Sequence, residues 1–132
     1  MKGAVGGMML AAIWFAGPPR AAAADWSTAQ TVRVTTTEYK FVPNSLSFHQ
    51  GVAYHLRIDN KGKETHEFTA PDFFKAVQLR DAKPLNPDRT EIVIQPGRRQ
   101  DLYFVAGAPG SYKLTCSDHD WAGMTGHITI TP

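Results

Sequence analysis

The sequence predicts an all-β sandwich of about seven or eight short strands, interrupted by one short helix or loop excursion. Three observations predict it. Apolar and polar residues alternate over short runs, which is the period of a strand with one buried face. Turn-forming residues separate these runs at close intervals, among them Pro43-Asn44, Asn60-Lys61-Gly62, Pro96-Gly97 and Pro109-Gly110. A length of 132 residues with 42% hydrophobic residues suits one packed core, and no internal repeat or low-complexity segment divides it.

The chain opens with what reads as a secretory leader over residues 1–24. Lys2 gives a positive start, Ala4 to Ala16 is an uninterrupted run of apolar and glycine residues, and Gly17-Pro18-Pro19 ends any helix. Ala22-Ala23-Ala24 supplies small residues for cleavage before Asp25. The apolar run falls short of the about 20 residues that span a bilayer. The only cysteine is Cys116, so lipid attachment at an N-terminal cysteine is excluded. The expectation is a domain over residues 25–132, exported to the periplasm, with no membrane attachment once the leader is removed. No Arg-Arg pair precedes the apolar run, which favours export of an unfolded, metal-free chain.

From Thr31 the strands follow in order. Val32 and Val34 alternate with Thr31, Arg33 and Thr35; Tyr39 and Phe41 keep one parity, as do Leu46 and Phe48 beyond Pro43-Asn44. After Gly51, Val52, Tyr54, Leu56 and Ile58 alternate with Ala53, His55, Arg57 and Asp59. Later runs are Glu91 to Ile94, Leu102 and Phe104, Tyr112 to Cys116, and Gly126 to Thr131. Alternation between such turns predicts half-buried antiparallel strands. Pro71 to Arg89 breaks the pattern. There Asp72 is expected to cap a short helix through Val77, with Phe73 or Phe74 covering the core, before Pro84, Asn86, Pro87 and Asp88 mark a loop.

Charge excludes one function class. Removing Lys2 and Arg20 with the leader takes the 14 basic residues to 12, equal to the 12 acidic ones, all of which lie at Asp25 or later. A neutral domain without a basic stripe gives no reason to expect nucleic-acid binding.

Chemistry concentrates in Cys116-Ser117-Asp118-His119-Asp120-Trp121-Ala122-Gly123-Met124. The single cysteine is followed three residues later by His119 and five residues after that by the only methionine outside the first nine residues. Thiolate and thioether are soft donors and imidazole is borderline; with one more histidine they describe a copper electron-transfer site better than any other metal site. A lone thiol in an oxidising compartment is also safest when buried or held by a metal.

Strand parity selects the fourth donor. His49, His55 and His127 fall on the polar parity of their strands, as solvated histidines do. His66 shares parity with Phe68, while Thr65, Glu67 and Thr69 take the other face; Cys116 shares parity with Tyr112 and Leu114. His66 and Cys116 therefore point into one interior. The structural alternatives at this point are a core histidine bonded to backbone and a buried inert cysteine.

Cys116 to Met124, with its flanking strands, resembles the cupredoxins, the blue-copper family, and within it the plastocyanin-like spacing of bacterial periplasmic members. The resemblance takes in Tyr39-Lys40-Phe41-Val42-Pro43, Asp59-Asn60, His66, Pro109-Gly110-Ser111-Tyr112 and Ala122-Gly123-Met124-Thr125-Gly126. It implies a Greek-key sandwich holding one type 1 copper ion near one end, with His66, Cys116 and His119 as strong ligands and Met124 as the weak axial one. Two positions depart from the family pattern: Glu67 stands where Asn is frequent, and Asp118 where Pro is common. Both alter hydrogen bonds and charge around the sulfur, so a potential does not carry over.

The expected function is single-electron transport by a monomer, not enzymatic catalysis. His119, in a loop, is expected to show an edge at the surface, and Trp121, Ala122 and Gly123 to form a small apolar patch for a redox partner. Asp118 and Asp120 would steer a basic partner such as a c-type cytochrome. Other readings are copper delivery, a copper enzyme with an open position if Met124 does not bind, and a zinc or metal-free interaction domain. A cysteine-histidine nucleophile lacks an orienting third group.

Overall fold

Alternation along the chain becomes two stacked sheets in the computed structural model, which describes residues 3, 17 and 23–132. The leader expected at residues 1–24 lies almost wholly outside the described residues. Ten strands follow in order: β1 (Gln30–Thr37), β2 (Lys40–Val42), β3 (Ser45–His49), β4 (Ala53–Asn60), β5 (His66–Thr69), β6 (Val77–Leu79), β7 (Glu91–Ile94), β8 (Arg99–Ala106), β9 (Gly110–Thr115) and β10 (Thr125–Thr131). One sheet has the order β2-β1-β4-β8-β6 and the other β3-β10-β9-β5-β7. Among the described residues no helix is long and apolar enough to cross a membrane.

The sandwich is as expected, with three corrections in detail. Among the described residues the strands number ten instead of seven or eight, because the chain changes sheet between β2 and β3 at Pro43-Asn44 and adds the short edge strand β6. Pairing is not antiparallel throughout: β1 runs parallel to β4, and β3 parallel to β10. The same crossing explains this, since with β2 continuing into β3 on the opposite sheet, the next strand back beside β1 points the same way. The excursion helix, α1 (Pro71–Lys75), starts two residues earlier than expected: Ala70, not Asp72, is its N-cap, Pro71 holds the first position and Asp72 lies in the first turn. Proline suits that position because its missing N–H has no partner there anyway. Val77 belongs to β6, not to the helix.

Burial follows parity along the long strands. Tyr54, Leu56 and Ile58 of β4 and Leu102, Phe104 and Ala106 of β8 are buried, as are Ile128 and Ile130 of β10. Phe73 and Phe74 of α1 are both buried. Phe73 stacks on Phe48 at 5.7 Å and meets Phe104 edge-on at 5.4 Å, so the helix closes one side of the core. Each such fully buried ring contributes about 1.5–3 kcal/mol relative to exposure.

On the outer face of the first sheet, Tyr103 stacks on His55 at 4.3 Å and under the Arg80 guanidinium at 3.7 Å. Trp26 meets Tyr103 edge-on at 6.3 Å, and the Asp25 carboxylate caps the short 3-10 turn Trp26–Thr28 through the Ser27 N–H. The start of the expected domain is thereby tied to β8.

Three loops meet at one end of the sandwich. They are the β1–β2 turn with Glu38 and Tyr39, the β4–β5 loop over residues 61–65, and the β9–β10 loop over residues 116–124. The Glu38 carboxylate accepts from the N–H groups of Lys63 and Glu64, and the Tyr39 ring lies 4.8 Å from that of His119.

Candidate metal centre

β5 and β9 pair only at Thr69↔Thr115 and then diverge. Cys116, the residue after β9, enters the gap beside His66, the first residue of β5. Both are completely buried. The Cys116 sulfur lies 4.0 Å from His66 Nδ1 and 3.3 Å from His119 Nδ1, and the three donor atoms lie within 4.8 Å of one another. The Glu67 N–H, which no β9 residue engages, points at the sulfur at 3.3 Å.

The loop carrying three of the four expected donors is closed by its own backbone. The Cys116 N–H donates to the Met124 carbonyl at 3.0 Å, the His119 N–H to the Cys116 carbonyl at 3.1 Å, and the Met124 N–H to the His119 carbonyl at 3.4 Å. Gly123 adopts φ 75°, the left-handed conformation that lets the chain turn back after Asp120–Ala122. Met124, the last residue of the loop before β10, is completely buried. His119 keeps an exposed edge, with 13% of its side-chain surface in solvent.

Electrostatics around the sulfur are set by burial. The Cys116 thiol is pushed up to about 12, first by desolvation and also by the adjacent Glu67 carboxyl, to which it donates at 3.0 Å. Glu67 is itself raised, chiefly by desolvation, with Asp118 and Glu91 adding negative charge nearby. Glu38 is held below the ordinary carboxylate range, first by the backbone N–H of Glu64. Tyr39 is raised by the Glu64 carboxylate beside its phenol.

His66, Cys116 and His119 are thus brought together as expected, with Met124 bonded to the same loop through its backbone. His49, His55 and His127 stay apart: His49 bonds Thr131, His55 pairs with Asp101 at 2.7 Å, and His127 is exposed. One expectation fails. Glu67 was placed on the outer face by alternation, yet it is 5% exposed and touches the Cys116 sulfur. Alternation assigns a side chain to a face, and here the loop after β9 covers that face. Glu38 and Glu64 border the site without any advance signal, because they lie in turns where parity carries no information; Tyr39, expected to share a strand parity with Phe41, lies in the β1–β2 turn instead and packs beside His119.

The donors fit a metal ion. Ligands bound at about 2.0–2.3 Å in a three- or four-coordinate site stand about 3.3–4 Å apart, which spans both sulfur–nitrogen distances found here. A thiol, two imidazole Nδ1 atoms and a buried thioether are the donor chemistry of a type 1 copper site, whereas zinc gains nothing from the thioether.

A sequence profile described as the cupredoxin-like domain matches residues 7–130, a span that also takes in most of the expected leader. No curated protein sequence matches the chain. Among solved structures, auracyanin B is 23% identical with a TM-score of 0.58, covering 79% of this chain and 90% of its own. Dithionite-reduced auracyanin from the photosynthetic bacterium Roseiflexus castenholzii is 22% identical with a TM-score of 0.60, covering 79% of this chain and 98% of its own. McoA multicopper oxidase from Aquifex aeolicus is 14% identical with a TM-score of 0.60 over 84% of this chain, which corresponds to only 31% of the oxidase. At these identities the likeness is one of fold.

Proposed function

The chain belongs to the cupredoxin-like family, and from that premise we propose that it carries single electrons between redox partners outside the cytoplasm, holding one type 1 copper ion. The observation that carries this reading is the convergence of Cys116 Sγ with two imidazole Nδ1 atoms in a buried pocket closed by the Met124 backbone. Copper supplies a one-electron couple between its two oxidation states. His66, Cys116, His119 and Met124 would hold the ion.

The chain's own residues do the rest. β5 fixes His66, and three backbone hydrogen bonds fix the loop of Cys116, His119 and Met124, so ligand positions change little with charge. Burial keeps the proton on the Cys116 sulfur, which donates it to the Glu67 carboxyl; a bound metal would displace that proton, and the Glu67 N–H would then stabilise the thiolate. The exposed edge of His119 is the point of electron entry and exit. Four protein donors leave no open position for a substrate, which argues against an enzyme. A leader ending before Asp25 fits the capped turn Trp26–Thr28 as the start of the domain and accounts for export to the periplasm.

Partner docking is assigned to the same end. Trp121 is 75% exposed, its indole N–H bonded to the Asp118 carbonyl, and Asp118 and Asp120 are exposed beside it. This pairing of one aromatic anchor with acidic neighbours suits a small, brief interface with a basic redox protein such as a c-type cytochrome.

The test is visible absorption and electron paramagnetic resonance of the purified domain after copper(II) addition. An intense thiolate-to-copper band with small hyperfine splitting, lost in Cys116→Ser and shifted in Met124→Ala, is the expected result. A weak tetragonal signal indifferent to Cys116 would remove the electron-carrier reading.

A further inference from the structure

Both histidines of the centre carry a carboxylate on the ring nitrogen that faces away from the sulfur. His66 Nε2 lies 3.4 Å from Glu38 Oε1, and His119 Nε2 lies 3.2 Å from Glu64 Oε2. A neutral imidazole has one N–H and one bare nitrogen, and the group facing one nitrogen decides which is which. An acceptor beyond Nε2 keeps the proton there. The lone pair is then left on Nδ1, the atom that faces Cys116 in both rings.

We propose that Glu38 and Glu64 are positioning residues that hold His66 and His119 as Nδ1 donors, a role that rests on the copper reading above. Carboxylates behind metal-bound imidazoles raise ligand basicity as well as fixing the ring. Two of them beside one centre add negative charge that favours the more oxidised metal.

Glu38 is built into the site. Its Oε1 accepts from the N–H groups of Lys63 at 2.5 Å and Glu64 at 2.9 Å, which ties the carboxylate to the segment leading into His66. A Cβ at Gly62 would stand 2.2 Å from Glu38 Oε1 and 3.0 Å from His66 Nε2, so the space a side chain would fill is taken by this contact. His66 Nε2 is buried and makes no hydrogen bond of good geometry, leaving Glu38 as the carboxylate paired with it. At 3.4 Å the contact is electrostatic more than a well-formed hydrogen bond.

The two carboxylates are not equivalent. Glu38 keeps 31% of its side-chain surface in solvent and Glu64 48%, and His66 is completely buried while His119 is not. Water screens the Glu64 contact more, so the larger effect belongs to Glu38.

The test uses the full domain, first without metal at pH 8, where long-range proton–nitrogen correlation spectra report the tautomer of each ring. Wild type is expected to show both rings protonated at Nε2. Glu38→Ala shifts His66 toward a mixture while Glu38→Gln, whose amide oxygen still accepts, keeps it; Glu64→Ala does the same more weakly at His119. In competition with a chelator, Glu38→Ala is expected to lower copper(II) affinity about 10–100-fold, with Glu38→Gln recovering most of the loss. Nδ1-protonated rings in wild type, or alanine variants with unchanged tautomer and affinity within about twofold, overturn the proposal. Should an alanine variant not fold, the wild-type tautomer and the glutamine variant's affinity decide it. A wild-type chain that shows the expected tautomers yet no thiolate band with copper instead removes the electron-carrier reading, so the two failures are distinguishable.

Discussion

Glu67 shows how one side chain can sit against the pattern that contains it. His66, Glu67 and Phe68 are buried in succession, because β5 faces the core on one side and the loop after β9 on the other. The residue types at the centre were legible in advance: one cysteine, one methionine beyond the leader, and one histidine on an inward parity. The environment of Glu67 was not, since it depends on where a loop from about fifty residues later lies. The sign of its effect is fixed by burial. Its carboxyl is raised in the fold above the ordinary 4.5, so the native state binds the proton more tightly than the unfolded chain. Stability is therefore full below the unfolded value and lost as pH rises through the folded one. In denaturant titrations of the metal-free domain from pH 4 to 8, Glu67→Gln is expected to be more stable than wild type by a margin that widens with pH. A margin independent of pH would mean the carboxyl is not desolvated.

Elements were read best where they are long. β4, β8 and β10 keep strict alternation, and their buried members are those the parity picked out. β6 and α1 were read less well, because three residues of edge strand and five of helix are too short for either period to register. On β4 the outward residues Arg57 and Asp59 form an ion pair at 2.9 Å, two residues apart on one face. Asp59 is held below its ordinary range, first by the hydrogen bond from Arg57. A depressed carboxyl contributes stability above its unfolded value and loses it as pH falls through the folded one. Asp59→Asn is expected to cost less than about 1 kcal/mol near neutrality, since both side chains are partly in solvent. That difference should vanish when thermal midpoints are compared below the folded value. A deficit that persists at low pH would assign it to packing instead.

At the scale of the whole molecule the sandwich works as a frame that presents one end. Three loops meet there, bringing Tyr39, His119 and the exposed Trp121 ring together, with Tyr39 5.7 Å from Trp121. Trp121→Ala is expected to slow electron exchange with a basic cytochrome about tenfold or more, the effect of losing one aromatic anchor. Asp118→Asn with Asp120→Asn should flatten the dependence of that rate on salt while leaving the copper spectrum in place. Rates and salt dependence equal to wild type in both variants would move the docking surface elsewhere.

The sequence by itself determined the fold class, the loop that carries three donors and the inward parity of His66. These are local properties, since alternation sets faces and nearby spacing sets which donors share a loop. Only the tertiary structure decided that β5 and β9 diverge after a single paired position, that Glu67 lies against the sulfur, and that Glu38 and Glu64 stand behind the two imidazoles. Those contacts join segments far apart in the chain through turns and strand ends, where no period constrains a side chain and the packing of the two sheets alone fixes its neighbours.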